Sequence, residues 1–97
     1  MKVRWRPMAE ADRDAIFDYI AQDNPKAALE LDEDFTAKAA TAGQRPKLYR
    51  AGRMRGTREI VVRANYLMIY RIDEDEDAIT ILRVLHAAQQ WPPASDG

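Results

Sequence analysis

The chain has no cysteine and a single histidine. Without thiols there is no disulfide framework and no thiolate metal site, and one imidazole cannot make a zinc centre, so no metal or cofactor is expected. The reducing cytoplasm is the expected compartment. No stretch approaches the roughly 18 uncharged residues of a membrane-spanning helix, and the opening MKVRWRPMAEADRD lacks the apolar core of a secretion signal. Neither a membrane partner nor export is expected. Internal repeats are missing too, and the one low-complexity tract is the acidic run Asp73 to Asp77. That run lacks the ligand spacing of a calcium loop and reads as a charged turn. Gly52-Arg53-Met54-Arg55-Gly56 matches neither a P-loop nor a dinucleotide fingerprint. At 97 residues the chain is expected to form one domain over 1–97, with 87–97 as a C-terminal tail.

A net charge of −1 conceals an uneven distribution. Between Arg45 and Arg63 lie seven basic residues (Arg45, Lys47, Arg50, Arg53, Arg55, Arg58, Arg63) and one acid, Glu59, while the remainder is acidic. Local field rather than global charge governs encounters. The segment therefore suits phosphate or the carboxylates of a protein partner, or else is a solvated loop.

Lys2 to Trp5 can form a short strand, and Pro7 suits a helix entry because its missing N–H would be unpaired there. Helical spacing joins Ala11, Ala15, Ile16, Tyr19 and Ile20, and the helix is expected to end near Asp23. Asn24-Pro25 makes the turn into a second helix, with Ala28, Leu31, Phe35, Ala39 and Ala42 on one stripe and a stop near Gly43. After a loop over 44–56 the pattern becomes strand-like at Arg58 to Arg63, Tyr66 to Ile72 and Ala78 to Leu85. Links this short permit only an antiparallel meander. The expected fold class is α+β, an N-terminal strand and helical hairpin packed on a small antiparallel sheet.

A two-residue turn at Ala64-Asn65 would place Arg58 opposite Arg71, and the acidic run as the next turn would place Leu67 opposite Arg83. Alternation then puts Arg58, Ile60, Val62, Leu67, Ile69, Arg71, Ile79, Ile81, Arg83 and Leu85 on one face, with Tyr66, Met68, Tyr70, Ile72, Thr80, Leu82, Val84 and His86 on the other. Both faces are largely apolar. The hairpin covers one, the tail with Trp91 shields part of the second, and the rest is expected to be an exposed apolar binding surface. Arg58, Arg71 and Arg83 on one face call for an anion, supplied by Glu10, Asp14 or Asp18 of the first helix, by a partner's carboxylate, or by phosphate.

The run GRMRGTREIVV (52–62), then NYLMIYRI (65–72) and ITILRVLHAAQQW (79–91), resembles the RelE/ParE superfamily of toxins from type II toxin-antitoxin modules. With the N-terminal strand and hairpin the likeness spans nearly the whole chain, and it is closest to the ParE-like side. It implies a toxin that binds and poisons DNA gyrase and is neutralised by a cognate antitoxin in a hetero-oligomer. Arg53, Arg55, Arg58, Arg71, Arg83 and Trp91 are the candidate target- or antitoxin-binding residues. The alternative it implies is a RelE-like endoribonuclease that cuts mRNA on the ribosome through the ribose 2′-OH. In those relatives a Tyr or His ending the last strand acts with strand arginines, positions that His86, Arg83 and Arg58 match. Two departures favour the gyrase reading: the usual third-strand arginine is Leu67, and alternation sends His86 to the face opposite Arg83. The mildly acidic pI also differs from the basic mRNA-cleaving branch.

Overall fold

The computed structural model describes residues 1–89, 91 and 92. In chain order the elements are β1 (Lys2–Trp5), α1 (Pro7–Ala21), α2 (Pro25–Gln44), β2 (Arg50–Ala51), β3 (Arg58–Val62), β4 (Tyr66–Asp73), a 3-10 turn (Glu74–Glu76) and β5 (Ala78–His86). The α+β architecture is the expected one. Two details extend it: β1 joins the sheet parallel to β5, and the two-residue β2 pairs with β3, giving the order β1-β5-β4-β3-β2.

Local chemistry sets the helix ends. Pro7 and Pro25 open the helices, where a missing N–H costs nothing, and the Asn24 side chain accepts the Ala27 N–H at 3.1 Å as a cap. At the far end of α2, a Cβ on Gly43 would lie 2.8 Å from Val3 Cγ2, so only glycine lets that turn approach β1 so closely.

Both helices lie on one side of the sheet. The expected α2 stripe, Ala28, Leu31, Phe35, Ala39 and Ala42, is buried against Ile60, Val62, Met68, Tyr70, Ile79, Ile81 and Val84. Each large side chain there contributes roughly 1.5–3 kcal/mol of burial. The expected stripe of α1 needs correction: Tyr19 is 76% exposed and Ala11 and Ala15 are exposed, while Ala9, Ile16 and Ile20 meet the core. Arg13 ties the hairpin together, its guanidinium 4.5 Å above the Trp5 ring and donating to Asp32 and Thr36.

The register also departs from expectation. Three residues, Arg63, Ala64 and Asn65, connect β3 to β4, and the first two have positive φ, so Val62 faces Tyr66 and Arg58 faces Tyr70 rather than Arg71. In the next hairpin Asp73 faces Ala78, and an extra residue, Leu82, bulges from β5 between Ile81 and Arg83. Leu67 consequently faces Leu85. Arg58, Ile60, Val62, Ile79 and Ile81 therefore belong to the helix side with Tyr66, Met68 and Tyr70. Leu67, Ile69, Arg71, Arg83 and Leu85 stay together on the second side, joined by Thr80.

The large apolar surface expected on that second side is not there. Leu67, Ile69 and Leu85 are all 6% exposed or less, and of the sheet's large apolar residues only Val61 stands out at 45%. The basic loop and the tail come together here: Arg53 Nη1 donates to the Trp91 carbonyl at 3.2 Å. Met54 and Trp91 lie with Leu82 around one hollow.

Candidate functional site

Glu59 organises the basic loop. It is 2% exposed, accepts the Arg53 backbone N–H at 2.9 Å and an Arg50 guanidinium N–H at 3.2 Å, and so holds the chain between β2 and β3 against the sheet. A buried carboxylate needs such donors to remain there. It was the lone acid of the basic segment, which is the sequence signal for a clamp. The Arg53 side chain reaches both ways, its Nε 4.0 Å from Glu59 and its Nη1 donating to the tail; Arg55 is exposed and makes no ion pair or side-chain hydrogen bond among the described residues.

Arg58 lies on the helix side, where it donates to the Tyr49 carbonyl at 2.6 Å beside Tyr70. The Tyr70 hydroxyl donates to the Pro46 carbonyl at 2.5 Å. Burial pushes the phenol above its ordinary value, opposed by the Arg58 charge. Both side chains thus hold the loop after α2.

On the second side Arg71 and Arg83 share the hollow but each has its own carboxylate. Arg71 donates to Asp73 at 2.9 Å, and Asp73 also accepts the Thr80 hydroxyl at 2.5 Å. That hydroxyl, followed by Arg71, holds the Asp73 carboxyl below the usual carboxylate range. Arg83 makes a bidentate pair with Asp12 at 2.8 and 3.0 Å, which raises the guanidinium further. The anion comes from α1, as one reading expected, but from Asp12 rather than Glu10, Asp14 or Asp18. The reason is the sheet edge. β1 stops pairing with β5 at Ile81, leaving the edge beyond it open, and Asp12 also accepts the Val84 N–H at 2.9 Å. Asp12 follows Ala9 by three residues and precedes Ile16 by four, a polar residue on the buried stripe of α1.

His86 is exposed at the end of β5 on the helix side, its ring edge-on to Tyr66 at 5.3 Å. Its Nδ1 accepts the Ala88 N–H at 3.0 Å, so the neutral ring carries its proton on Nε2. Ala15, Ile16 and Tyr19 complete an apolar hollow around it.

His86, Arg83 and Arg58 are therefore not assembled. His86 and Arg83 project to opposite sides of β5. Arg58 shares the side of His86 but lies four residues away along the strands, about 13 Å at strand rise, and two strands across. What does come together is Arg71, Arg83 and Trp91, with Arg6, Met8, Met54 and Leu82. Arg6 was not singled out from sequence, because it follows the first strand and joins the others only through the parallel pairing of β1 with β5. Among the described residues no cluster of three or more His, Asp or Glu is placed to hold a metal ion, and no helix is long and apolar enough to cross a membrane.

Comparisons with known proteins agree with this architecture. Residues 3–91 match the family model described as ParE toxin of type II toxin-antitoxin system, parDE. A Sinorhizobium fredii protein named "Putative toxin Y4kP" is 36% identical over 92 residues, 94% of this chain and 93% of the relative. The chromosomal ParDE toxin-antitoxin system from P. aeruginosa contains a chain of the same fold, with a TM-score of 0.78 at 24% identity over 89% of this chain and 95% of that one. The intact E. coli RelBE toxin-antitoxin complex also contains one, with a TM-score of 0.65 at 12% identity over 91% and 98%. At such identities the two structures speak for the fold alone, whereas the family model and the S. fredii relative cover almost the whole sequence. The chain belongs to the ParE toxin family of type II toxin-antitoxin systems, within the RelE/ParE superfamily.

Proposed function

We propose that this toxin acts in the cytoplasm as a single domain that binds and poisons DNA gyrase, without chemistry of its own, and is neutralised by a cognate antitoxin in a hetero-oligomer. One observation carries the reading: the groups that would serve a nuclease are dispersed. A general acid must come within hydrogen-bond reach of the reacting atoms while a cation holds the phosphate. Here His86 and Arg83 lie on opposite sides of the strand, and Arg58 is committed to the Tyr49 carbonyl. Leu67, buried in β4 where the resemblance implies an arginine, adds support. The antitoxin partner is supported by the P. aeruginosa ParDE system and the E. coli RelBE complex, in which related folds occur in toxin-antitoxin systems. Arg55, exposed at the tip of the basic loop, is the leading target contact.

One feature favours the alternative of a ribosome-dependent mRNA endoribonuclease: His86 is exposed beside Tyr19 and Tyr66, which could orient a base. Induced expression without antitoxin distinguishes the two. Trapped gyrase–DNA cleavage complexes with intact mRNA are the expected result; mRNA cuts without cleavage complexes would reverse the assignment.

A further inference from the structure

A hollow of about 410 Å³ lies on the helix side of the sheet, where α1 passes the end of β5. Ala15, Ile16 and Tyr19 of α1 line it with Tyr66 of β4 and His86 of β5. Three of these five residues carry rings. Tyr66 stands nearly perpendicular to His86 at 5.3 Å and to Phe35 of the core at 5.8 Å, so packing fixes the inner rings. Tyr19 is 76% exposed and pairs with no aromatic ring among the described residues. Ring faces are electron-rich, so a group of rings suits either a cation or another flat ring.

Charge decides between the two. Asp14 and Asp18, the chain neighbours of Ala15 and Tyr19, are exposed and make no ion pair or side-chain hydrogen bond among the described residues. Four residues apart on one helix, they repel each other. Asp18 also stands in the last turn of α1, where the helix dipole disfavours an acid and no base offsets it. Over 7–44 the hairpin carries nine acids against three bases. A nucleobase would bring its phosphates against these carboxylates and be repelled. A guanidinium is favoured twice, because its plane stacks on an aromatic ring and its N–H groups donate to carboxylate oxygens.

We infer that this hollow receives an arginine side chain of a protein partner, stacked on Tyr19 and drawn in by Asp14 and Asp18. An apolar neighbour of that arginine rests on Ala15 and Ile16. The domain then recognises proteins through two surfaces of opposite charge, the basic segment over 45–63 and the acidic flank of α1.

His86 is the only histidine, so its imidazole C–H resonances report on the hollow without further assignment. The full-length toxin is titrated with the peptide acetyl-Leu-Arg-Leu-amide. Its controls are the same peptide with citrulline, an uncharged isostere, in place of arginine, and a short oligothymidylate. The His86 signals are expected to shift saturably with the arginine peptide, in the millimolar range. Citrulline, or Tyr19→Leu in the toxin, should weaken binding about tenfold, whereas Tyr19→Phe keeps the ring and should bind as wild type does. Asp14→Asn combined with Asp18→Asn should weaken it about threefold, a loss that added salt removes. All three positions are exposed, so the variants should melt at the wild-type temperature. An unmoved His86 signal, equal affinity for the citrulline peptide, undiminished binding in Tyr19→Leu, or saturation by the oligonucleotide would overturn the inference.

Discussion

Asp12→Ala should be among the most damaging single changes at a residue outside the apolar core. Its carboxylate closes three bonds where β5 has outrun β1: two to the Arg83 guanidinium and one to the Val84 N–H. Val84 is 1% exposed, so its amide has little access to water once Asp12 is gone. A buried donor left unpaired costs about 1–3 kcal/mol. The Arg83 side chain is 26% exposed and is partly rehydrated, so its loss adds about 1 kcal/mol. The expected total is about 2–4 kcal/mol, a large share of the roughly 5–15 kcal/mol that holds such a domain together.

The assay is urea unfolding at neutral pH, followed by thermal melting, where each kcal/mol should lower the midpoint by about 4–8 °C. Asp12→Asn retains one acceptor oxygen for Val84 and should cost about half as much. Arg83→Ala should cost less than Asp12→Ala, because it leaves the Val84 bond in place. The double substitution should be less destabilising than the two singles combined, since they share a network. An Asp12→Ala loss within about 0.5 kcal/mol of wild type, the level of an ordinary surface change, would refute the argument that this carboxylate seals the open edge.

Arg55→Ala should reduce toxicity without changing the melting temperature, read by growth arrest and thermal unfolding in parallel. Arg58→Ala should instead destabilise by about 1–2 kcal/mol, because it removes a charged donor from the Tyr49 carbonyl. Ala64→Gly should stabilise the fold by about 1 kcal/mol, since Ala64 holds φ near 61° and glycine does so without steric penalty; a loss of stability in urea would contradict this. The depressed Asp73 carboxyl contributes stability that is present above its unfolded value near 3.8 and disappears as pH falls through the lower folded value. Thr80→Val should raise the Asp73 titration midpoint, followed by carbon-13 NMR, and move the acid unfolding limb upward. His86→Gln should leave most of the toxicity, since binding needs no proton transfer, whereas a nuclease using His86 would lose roughly 10²- to 10⁴-fold in cleavage.

The helical hairpin was legible because periodicity and punctuation agree. Pro7, Asn24-Pro25 and Gly43 mark its ends, and Ala28 to Ala42 recur at helical spacing. The strands were legible as segments but not as a register. Two non-glycine residues, Arg63 and Ala64, adopt positive φ in the β3–β4 turn, so no glycine announced the extra residue. The bulge at Leu82 carries no glycine or proline either. A slip of one residue transfers side chains to the other face, which is why Arg58 was grouped with Arg71 and Arg83. Asp12 and Arg6 escaped notice for a different reason. Their roles depend on β1 lying beside β5, a contact separated by some 75 residues of chain.

The arginine content of this chain is best understood by subtraction. A domain of this size buries a modest core, and side-chain cross-ties can supplement it. Arg13 ties α1 to α2, Arg83 ties β5 to α1, Arg50 ties β2 to Glu59 in β3, and Arg63 ties the β3–β4 turn to Asp34 in α2. Exposed pairs of this sort are worth little, so the ones that matter have a buried or half-buried member, namely those at Glu59, Arg13 and Arg83. Their existence also explains how a segment so rich in arginine belongs to a protein of nearly balanced charge. Once these structural commitments are removed, Lys2, Arg6, Lys38, Arg45, Lys47 and Arg55 are left as exposed cations without an ion-pair partner among the described residues, scattered over strand, helix and loops rather than gathered in a row.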